Sequence, residues 1–170
     1  SKFHAESLWH DEGFVYQDWY NPLTKQIRKR KKSSRYISFD ESWYKLLGLF
    51  TGDGWLCYDG RPQVGFCCNS NEDENLSLIL SSLDKIGITD YRVSKAKGKN
   101  LIQVVANSKH LHMAFKSWFD KYECTSQSKH VPDFVFEQYD NLKSAYLSGY
   151  LMSDGNDGEN KFTFSTTSPK

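Results

Sequence analysis

The sequence predicts an α+β fold in which the strands form an antiparallel sheet and the helices pack on one of its faces. Segments whose apolar residues recur at helical spacing alternate along the chain with pairs of short segments that have the two-residue period of strands. Glycine-containing turns join the strands of each pair, as in hairpins. A helix-ending motif also occurs twice, 101 positions apart. Hairpins that alternate with helices favour an antiparallel sheet covered on one side.

The first helix is marked at both ends. Residues 38–41 read Ser-Phe-Asp-Glu, the S-x-x-E pattern of a capping box, which predicts that a helix begins at Ser38. Apolar residues at helical spacing follow as far as the break at Gly54. The helix is therefore expected to lie between these two residues.

The later elements follow from the same two periods. Turns at 59–60 and 97–100 separate the strands of two hairpins, and Gly87 is typical of a helix C-terminus. The third helix has apolar residues at its expected core positions, which are Leu111, Met113, Phe115, Trp118 and Phe119. The predicted elements are strands 55–59 and 63–69, a helix over 72–86, strands 89–96 and 100–106, a helix over 108–122, a connector over 129–136, a helix over 138–152 and a strand over 161–166.

Residues 1–37 show no clear period and are predicted to be an N-terminal extension or linker. Within them, residues 25–35 contain seven basic residues and no acidic one. Such a run is either a solvated linker or a site that attracts a polyanion. The remaining chain divides into a first unit over 38–137 and the beginning of a second unit over 138–170.

Bulk composition predicts a protein that stays inside the cell. The net charge is +1, no apolar run reaches the length of a membrane span, and the N-terminus lacks a signal-peptide pattern. The four cysteines have no C-x-x-C spacing, so we expect them to be reduced and mostly buried rather than bound to zinc. They are Cys57, Cys67, Cys68 and Cys124.

The repeated motif has a physical interpretation. Residues 46–54 align with residues 147–155, and leucine, glycine, aspartate and glycine coincide. Small residues four positions apart share one face of a helix in each copy, and such faces let two helices approach closely. These expected helix-interface residues are Gly48 and Gly52 in the first copy and Gly149 and Ser153 in the second.

The motif aspartates are the candidate chemical groups. If the two helices pack side by side, Asp53 and Asp154 emerge at the same end. Two carboxylates brought close together repel unless cations lie between them, and oxygen ligands suit magnesium rather than zinc. A single copy would more simply be a helix cap, because Asp-Gly is a common turn. Two copies, each with an aspartate that capping does not require, favour a functional role.

At these residues the chain resembles the LAGLIDADG, or dodecapeptide, homing endonucleases. The first copy departs from the motif at Thr51, which replaces an acidic residue, and the second departs at Tyr150 and Met152. Residues 129–136, Lys-His-Val-Pro-Asp-Phe-Val-Phe, are similar to the Lys-x-Ile-Pro block that precedes the second motif in intein-borne members. The resemblance covers residues 38–168.

The resemblance implies an αββαββα half with a saddle-shaped antiparallel sheet, followed by the start of a second pseudo-symmetric half. It implies that Asp53 and Asp154 bind Mg2+ or Mn2+, with the backbone carbonyls of Gly52 and Ser153 as further ligands. Metal-activated water would then cleave double-stranded DNA, consistent with two-metal chemistry. Lys129 matches the lysine that assists near the scissile phosphate.

The residues expected to contact DNA come from strand alternation and from clusters of positive charge. Polar side chains on the groove-facing side of a strand can read bases, and lysines near a hairpin tip suit phosphates. If Tyr91 and Val93 pack on the helices, their neighbours in the strand face DNA. The candidate residues are Arg92, Ser94 and Gln103 for bases, Lys95, Lys97 and Lys99 for phosphates, and Lys29 and Arg30 in the basic run.

Two alternatives to an active endonuclease remain open. One is a DNA- or RNA-binding relative that has lost cleavage, either a degenerate endonuclease domain within an intein or an intron maturase. The other is a developmental regulator with the same fold, for which no added helix-turn-helix signal is visible. We expect an origin in an intein or a mobile intron, a location in the nucleus or nucleoid, and no splicing chemistry within residues 1–170. By the 101-residue offset a second half would continue past residue 170, supplied in cis or by a second chain.

Overall fold

The computed structural model describes residues 8–10, 14–21, 23–34, 36–58, 60–97, 99–119, 130–158 and 161–164. In chain order the elements are β1 (Leu8–His10), β2 (Phe14–Asn21), β3 (Gln26–Ser34), α1 (Glu41–Asp53), β4 (Trp55–Tyr58), β5 (Pro62–Asn69), α2 (Asp73–Lys85), β6 (Tyr91–Lys95), β7 (Leu101–Asn107), α3 (Lys109–Phe119), α4 (Asp133–Phe136), α5 (Asp140–Asp154), β8 (Gly155–Gly158) and β9 (Lys161–Phe164). Within these ranges no helix is long and apolar enough to cross a membrane.

The main sheet is antiparallel and has the strand order β4-β5-β7-β6. Alternate residues of its two central strands belong to the hydrophobic core shared with α1, α2 and α3. These core-facing residues are Val64, Phe66 and Cys68 in β5 and Ile102, Val104 and Ala106 in β7. The predicted α+β fold, with helices on one face of an antiparallel sheet, is confirmed.

Helix α1 lies at the centre of this core. Its buried side chains are Trp43, Tyr44, Leu46, Leu47, Leu49 and Phe50. The Phe50 ring contacts the rings of Phe66 in β5 and of Phe115 and Phe119 in α3. A helix that is apolar around most of its circumference must be covered by neighbours on most sides, and here the sheet and the other helices cover it.

The N-terminal end of α1 differs from the prediction, and its C-terminal end agrees with it. The cap is Asp40 rather than Ser38, because Oδ1 of Asp40 accepts a hydrogen bond of 2.9 Å from the backbone N–H of Trp43. The helix ends at Asp53, as predicted, and Gly54 is its C-cap in an extended conformation, with φ −79°. A Cβ at Gly54 would lie 2.1 Å from the Phe50 ring, so close packing explains the glycine. Gly87, with φ +76°, is the left-handed stop that the sequence predicted.

Two details of the helical layer correct the sequence analysis. Met113 is 55% exposed and is not a core residue. Leu111 and Phe115 are four positions apart and share the buried face of α3, which leaves the residue midway between them on the opposite side. The expected connector over 129–136 contains the short helix α4, in which Val135 is buried.

The cysteine prediction is only partly correct. Cys57, Cys67 and Cys68 are free thiols, as expected. Only Cys68 is buried, because it alone of the three faces the core, whereas the other two are half-buried. Cys124 lies outside the described residues.

The N-terminal segment contains a separate antiparallel sheet of order β1-β2-β3, which the sequence did not predict. Its third strand spans most of the basic run, where the apolar alternation that signals a strand is absent. Lys29 pairs with Asp18 and Arg30 pairs with Gln17. Strand β8 was also not predicted, although β9 lies within the expected strand over 161–166.

Helices α1 and α5 pack through the two motif glycines. A Cβ built on Gly48 would lie 1.9 Å from the carbonyl oxygen of Tyr146, and one built on Gly149 would lie 1.9 Å from the carbonyl oxygen of Lys45. These two contacts are related by the 101-residue offset, since 48 corresponds to 149 and 45 to 146. The helix backbones therefore touch symmetrically at positions where no side chain larger than hydrogen fits.

This packing predicts a large cost for alanine at position 48. Because the opposing atom belongs to the backbone, Gly48→Ala must separate the helices, and we expect it to lower the free energy of unfolding by about 2 kcal/mol or more. That loss exceeds the roughly 1 kcal/mol by which alanine is favoured over glycine inside a helix. Urea denaturation followed by circular dichroism measures the change. The control Ser77→Ala, on the exposed side of α2, should stay within about 0.5 kcal/mol of wild type. Equal stability of Gly48→Ala and the control would contradict the close contact.

Candidate nucleic-acid and metal site

The motif helices α1 and α5 run in the same direction. Near their first turns, Nδ2 of Asn141 donates a hydrogen bond of 3.0 Å to Oε1 of Glu41. In their middles, Gly48 lies against the backbone of Tyr146 and Tyr150. Contacts between equivalent positions at two levels require parallel helices. The C-terminal residues of α1 and α5, which are Asp53 and Asp154, therefore lie at the same end of the helix pair.

A pair of hydroxyl groups also joins the same two helices. Thr51 Oγ1 donates to the carbonyl oxygen of Leu47 at 2.8 Å and lies 2.5 Å from the Tyr146 hydroxyl. A threonine hydroxyl has one proton, and here it is directed to Leu47. Tyr146 is therefore the donor in the hydroxyl pair. Thr51 stands where the family that this chain resembles has an acidic residue. Its hydroxyl thus links α1 to α5 by a hydrogen bond.

The residues at this end suit a hard divalent cation. Carboxylates and backbone carbonyls are the oxygen ligands that magnesium accepts, and phosphate oxygens of a substrate commonly complete its coordination. Asp53 is exposed, Gly52 is half-buried, and Ser153 is half-buried with its hydroxyl donating to the carbonyl oxygen of Tyr150 at 2.8 Å. Among the described residues there is no group of three or more His, Cys, Asp or Glu side chains placed to hold a metal. The Asp53 carboxylate and the backbone carbonyls of Gly52 and Ser153 are oxygen donors of the kind that such a cation accepts.

The remaining catalytic candidate, Lys129, lies outside the described residues. The neighbouring block does have a defined position, since Pro132 is buried and Phe134 of α4 contacts the ring of Tyr44 in α1. Phe134 also contacts Phe39 and Trp118. The segment after Lys129 is thus anchored to the aromatic core beneath α1.

The face of the main sheet opposite the helices carries polar side chains together with a few apolar ones, in cross-strand rows. We call it the open face, and the strand registers place on it Trp55 and Cys57 of β4, Gln63, Gly65, Cys67 and Asn69 of β5, Arg92 and Ser94 of β6, and Leu101, Gln103, Val105 and Asn107 of β7. Cross-strand partners share a face. One row is Cys57-Gln63-Asn107, a second is Trp55-Gly65-Val105-Arg92, and a third is Cys67-Gln103-Ser94.

The structure brings three of the sequence-predicted DNA contacts together on this face. Arg92 and Ser94 are exposed there, and Gln103, the cross-strand partner of Ser94, is half-buried. Lys95 instead pairs with the core-facing Ile102, so its register position is on the helix side of the edge strand, although it is exposed.

The residues in β6 and just after it are largely exposed. Lys97 and Lys99 are exposed in the connection between β6 and β7. Val93, expected to pack on the helices, occupies a helix-side position but is 46% exposed. The edge strand is therefore only partly covered by the helical layer.

Sequence reasoning missed the polar residues of β5 and the end of β7. Gln63, Cys67 and Asn69 alternate with core residues, and this alternation was visible in the sequence. Trp55 was missed for a different reason, since its ring lies across Gly65, where a Cβ would be 2.1 Å from Cε2 of Trp55. That contact depends on strand register and could not be read from either residue alone.

Comparison with solved structures identifies the fold. The chain matches I-DmoI in complex with DNA and Mn with a TM-score of 0.51 and 16% identity, over 74% of this chain and 68% of that one. A variant of I-DmoI with its target DNA and Mn matches with a TM-score of 0.53 and 18% identity, over 73% and 65% of the two chains. The chain therefore has the fold of LAGLIDADG homing endonucleases. One protein with this fold is the homing endonuclease I-DmoI.

Sequence relatives are distant and much longer. The chain is 24% identical over 144 residues to the replication factor C small subunit of Methanocaldococcus jannaschii, covering 80% of this chain and 8% of that protein. It is 24% identical over 147 residues to an uncharacterized protein of the same organism, covering 81% and 16%. A DNA polymerase of Thermococcus kodakarensis is 25% identical over 133 residues, covering 76% and 7%. No protein-family model matches the chain.

The buried hydroxyl of Tyr146 predicts a pH dependence of stability. Burial raises the pKa of this phenol above the usual value near 10. The folded protein thus holds the phenol proton more tightly than the unfolded chain, so the stabilisation is complete below about pH 10 and is lost as the pH rises toward the folded-state pKa. Urea denaturation between about pH 8 and about pH 11 should show a steeper loss of stability for wild type than for Tyr146→Phe. Parallel slopes for the two proteins would show that the phenol is not buried in the folded state.

Proposed function

We propose that this chain is the DNA-binding and catalytic part of a site-specific homing endonuclease that hydrolyses phosphodiester bonds in double-stranded DNA. The observation that carries the proposal is the parallel packing of α1 and α5, which puts the ends of both motif copies together. An open sheet face with arginine, serine and glutamine side chains accompanies it. I-DmoI, which shares the fold, was solved in complex with DNA.

In this proposal each motif aspartate supplies one carboxylate to the metal site. Asp53 and Asp154 hold Mg2+ or Mn2+, with the backbone carbonyls of Gly52 and Ser153 as further ligands. Bound cations would lower the pKa of a water molecule and neutralise charge on the scissile phosphate. Structures of I-DmoI solved with Mn, Mg or Ca together with DNA support the use of divalent metals. Lys129 is proposed to stabilise charge near the phosphate.

The open face is proposed to lie in the major groove. Arg92, Ser94 and Gln103 would contact base edges, while Lys97 and Lys99 would contact phosphates. Lys95 would reach the backbone from the edge strand. Lys29 and Arg30 of β3 belong to a separate sheet and would contact a flanking stretch of the DNA backbone.

The origin proposed for this segment is an intein or a mobile intron. The matched relatives include a replication factor subunit and a DNA polymerase, and the chain spans only 8% and 7% of their lengths. A short segment shared by otherwise different replication proteins is expected of an inserted element. A second half, in cis or from another chain, would complete the site, and the protein would act where DNA is, in the nucleus or nucleoid.

A cleavage-inactive DNA- or RNA-binding relative, such as a degenerate intein domain or a maturase, is the second candidate. Thr51 favours a cleavage-inactive relative, because this residue replaces a motif acid and its hydroxyl forms hydrogen bonds with Leu47 and Tyr146. Specific binding without metal-dependent cutting would identify this class.

A cleavage assay separates the two functions. Purified protein is incubated with a library of duplex DNA sites and Mg2+, and the products are sequenced. We expect wild type to cut a defined site, and Asp53→Asn to cut it at least about a hundredfold more slowly, because several kcal/mol of charge stabilisation are lost. The substitution keeps the shape of the side chain but removes its charge.

The matched control is Asp73→Asn, an exposed aspartate in the first turn of α2. It should cut at the wild-type rate, which excludes a general effect of lost negative charge. Cutting that is independent of both Mg2+ and Asp53 would contradict the proposed site, and absence of DNA binding by wild type would contradict the function as a whole.

Salt dependence tests the role of the hairpin lysines. Each phosphate contact adds nearly one unit to the slope of log affinity against log salt concentration, so Lys97→Ala and Lys99→Ala should each flatten the slope by about 1. Fluorescence anisotropy with a labelled duplex measures the slope. Lys85→Ala is the control, because this lysine is on α2 and pairs with Asp40 at 3.5 Å on the helix side. A slope unchanged in both hairpin variants would remove these lysines from the DNA interface.

A further inference from the structure

A relay of hydrogen bonds crosses the open face from the start of β6 to β5. Nδ2 of Asn107 donates to Oδ1 of Asp90 at 3.1 Å, and Nε2 of Gln63 donates to Oδ1 of Asn107 at 2.9 Å. The backbone N–H of Asn107 also donates to the carbonyl oxygen of Asp90 at 2.8 Å. Three side chains from three strand segments are thereby joined in one line.

The carboxylate of Asp90 sets the direction of every hydrogen bond in the relay. A carboxylate accepts hydrogen bonds and has no proton to donate, so Asn107 must turn its NH2 group toward Asp90. Its amide oxygen then points to Gln63 and can only accept. Gln63 must therefore present its NH2 group to Asn107. Neither amide can rotate by 180° without placing two acceptors against each other.

The backbone of Gln63 is held from another side. Nδ1 of His112 in α3 lies 3.0 Å from the carbonyl oxygen of Gln63. A carbonyl oxygen only accepts, so Nδ1 carries the proton and donates it. Gln63 is also the direct cross-strand partner of Asn107. Both the main chain and the amide of Gln63 are thus fixed before any ligand arrives.

This arrangement determines what Gln63 offers to a ligand. One N–H of its amide is used by Asn107, which leaves the second N–H and the oxygen Oε1. Among the described residues nothing else forms a hydrogen bond with the Gln63 side chain, which is half-buried on the open face. The open face therefore presents one acceptor and one donor of the same amide group, in an orientation that Asn107 sets.

We propose that Gln63 reads adenine in the major groove, oriented by Asn107 and Asp90; this rests on the proposed DNA-binding function. Adenine presents an N6 amino donor beside an N7 acceptor, which match Oε1 and the free N–H of the glutamine amide. Guanine presents two acceptors at the same edge, so its O6 would face Oε1 without a proton between them. The locked amide thus favours an A·T base pair. Asn107 and Asp90 are positioning residues that act through Gln63.

The test compares base preference at single positions of the DNA site. Purified protein is used to select bound duplexes from a randomised library, and sequencing gives the preference at every base pair. Gln63→Ala should reduce discrimination at one A·T pair by about tenfold or more and leave the other positions unchanged. Asp90→Asn should weaken discrimination at the same pair, since an amide in place of the carboxylate can donate as well as accept and no longer sets the direction of the relay.

Gln103→Ala is the matched control. Gln103 is also a half-buried glutamine on the open face, but within the described part of the chain its side chain makes no hydrogen bond. Its substitution should leave the A·T pair read by Gln63 unchanged. Circular dichroism of each variant confirms that the fold is retained.

The outcomes distinguish this proposal from the one on which it rests. Sequence-specific binding with an unchanged profile in Gln63→Ala, or a change at a G·C pair, overturns the adenine contact while DNA binding stands. A profile unaffected by Asp90→Asn overturns the orienting relay. Wild-type protein that selects no DNA sequence overturns the proposed function together with this contact.

Discussion

Helices α1 and α5 meet where the Cβ direction of Gly48 points at one carbonyl oxygen and that of Gly149 points at another, each 1.9 Å from the position a Cβ would take. This contact orders much of the described structure. It brings the two backbones together at two glycine positions where no side chain fits, so the helices cannot slide without a clash. Because they run in the same direction, the contact also decides that both motif aspartates leave the helix pair at one end. The hydroxyl pair of Thr51 and Tyr146 adds a polar contact between the two helices.

The order of helices and hairpins could be read from the sequence because it depends on local periods. Alternation in β5 and β7 and helical spacing in α2 follow directly from the sequence, and the observed elements begin and end within a few residues of the predicted ones. The N-terminal sheet was not predicted, because the run of basic residues in β3 lacks the alternation of apolar and polar residues that indicates a strand. The break at Gly54 was predicted, but not the reason for the glycine, which comes from the nearby ring of Phe50.

One part of the candidate site could likewise be predicted from the sequence, and another part could not. The position of Asp53 and Asp154 at one end of paired helices follows from the repeat, since the glycines and the aspartates have fixed spacing within each copy. The relay through Gln63 and Asn107 could not be predicted, because it joins residues 44 positions apart whose alignment depends on the register between β5 and β7. Strand alternation indicates which residues face outward. It does not indicate which of them will be locked by a neighbour.

The two copies of the motif also show that identical residues take their environment from the surrounding elements. Leu46 in α1 is fully buried, whereas its counterpart Leu147 in α5 is 52% exposed. The difference is not in the helix, since both copies pack through the same glycine. It arises because the main sheet, α2 and α3 surround α1, while no described element covers the corresponding side of α5. The neighbouring positions agree, since Trp43 and Leu47 are buried but their counterparts Ser144 and Ser148 are small and polar. Pseudo-symmetry therefore holds for the helix contact and for the motif ends, where both partners need the same geometry, and is relaxed on the outer faces, where each helix adapts to its own surroundings.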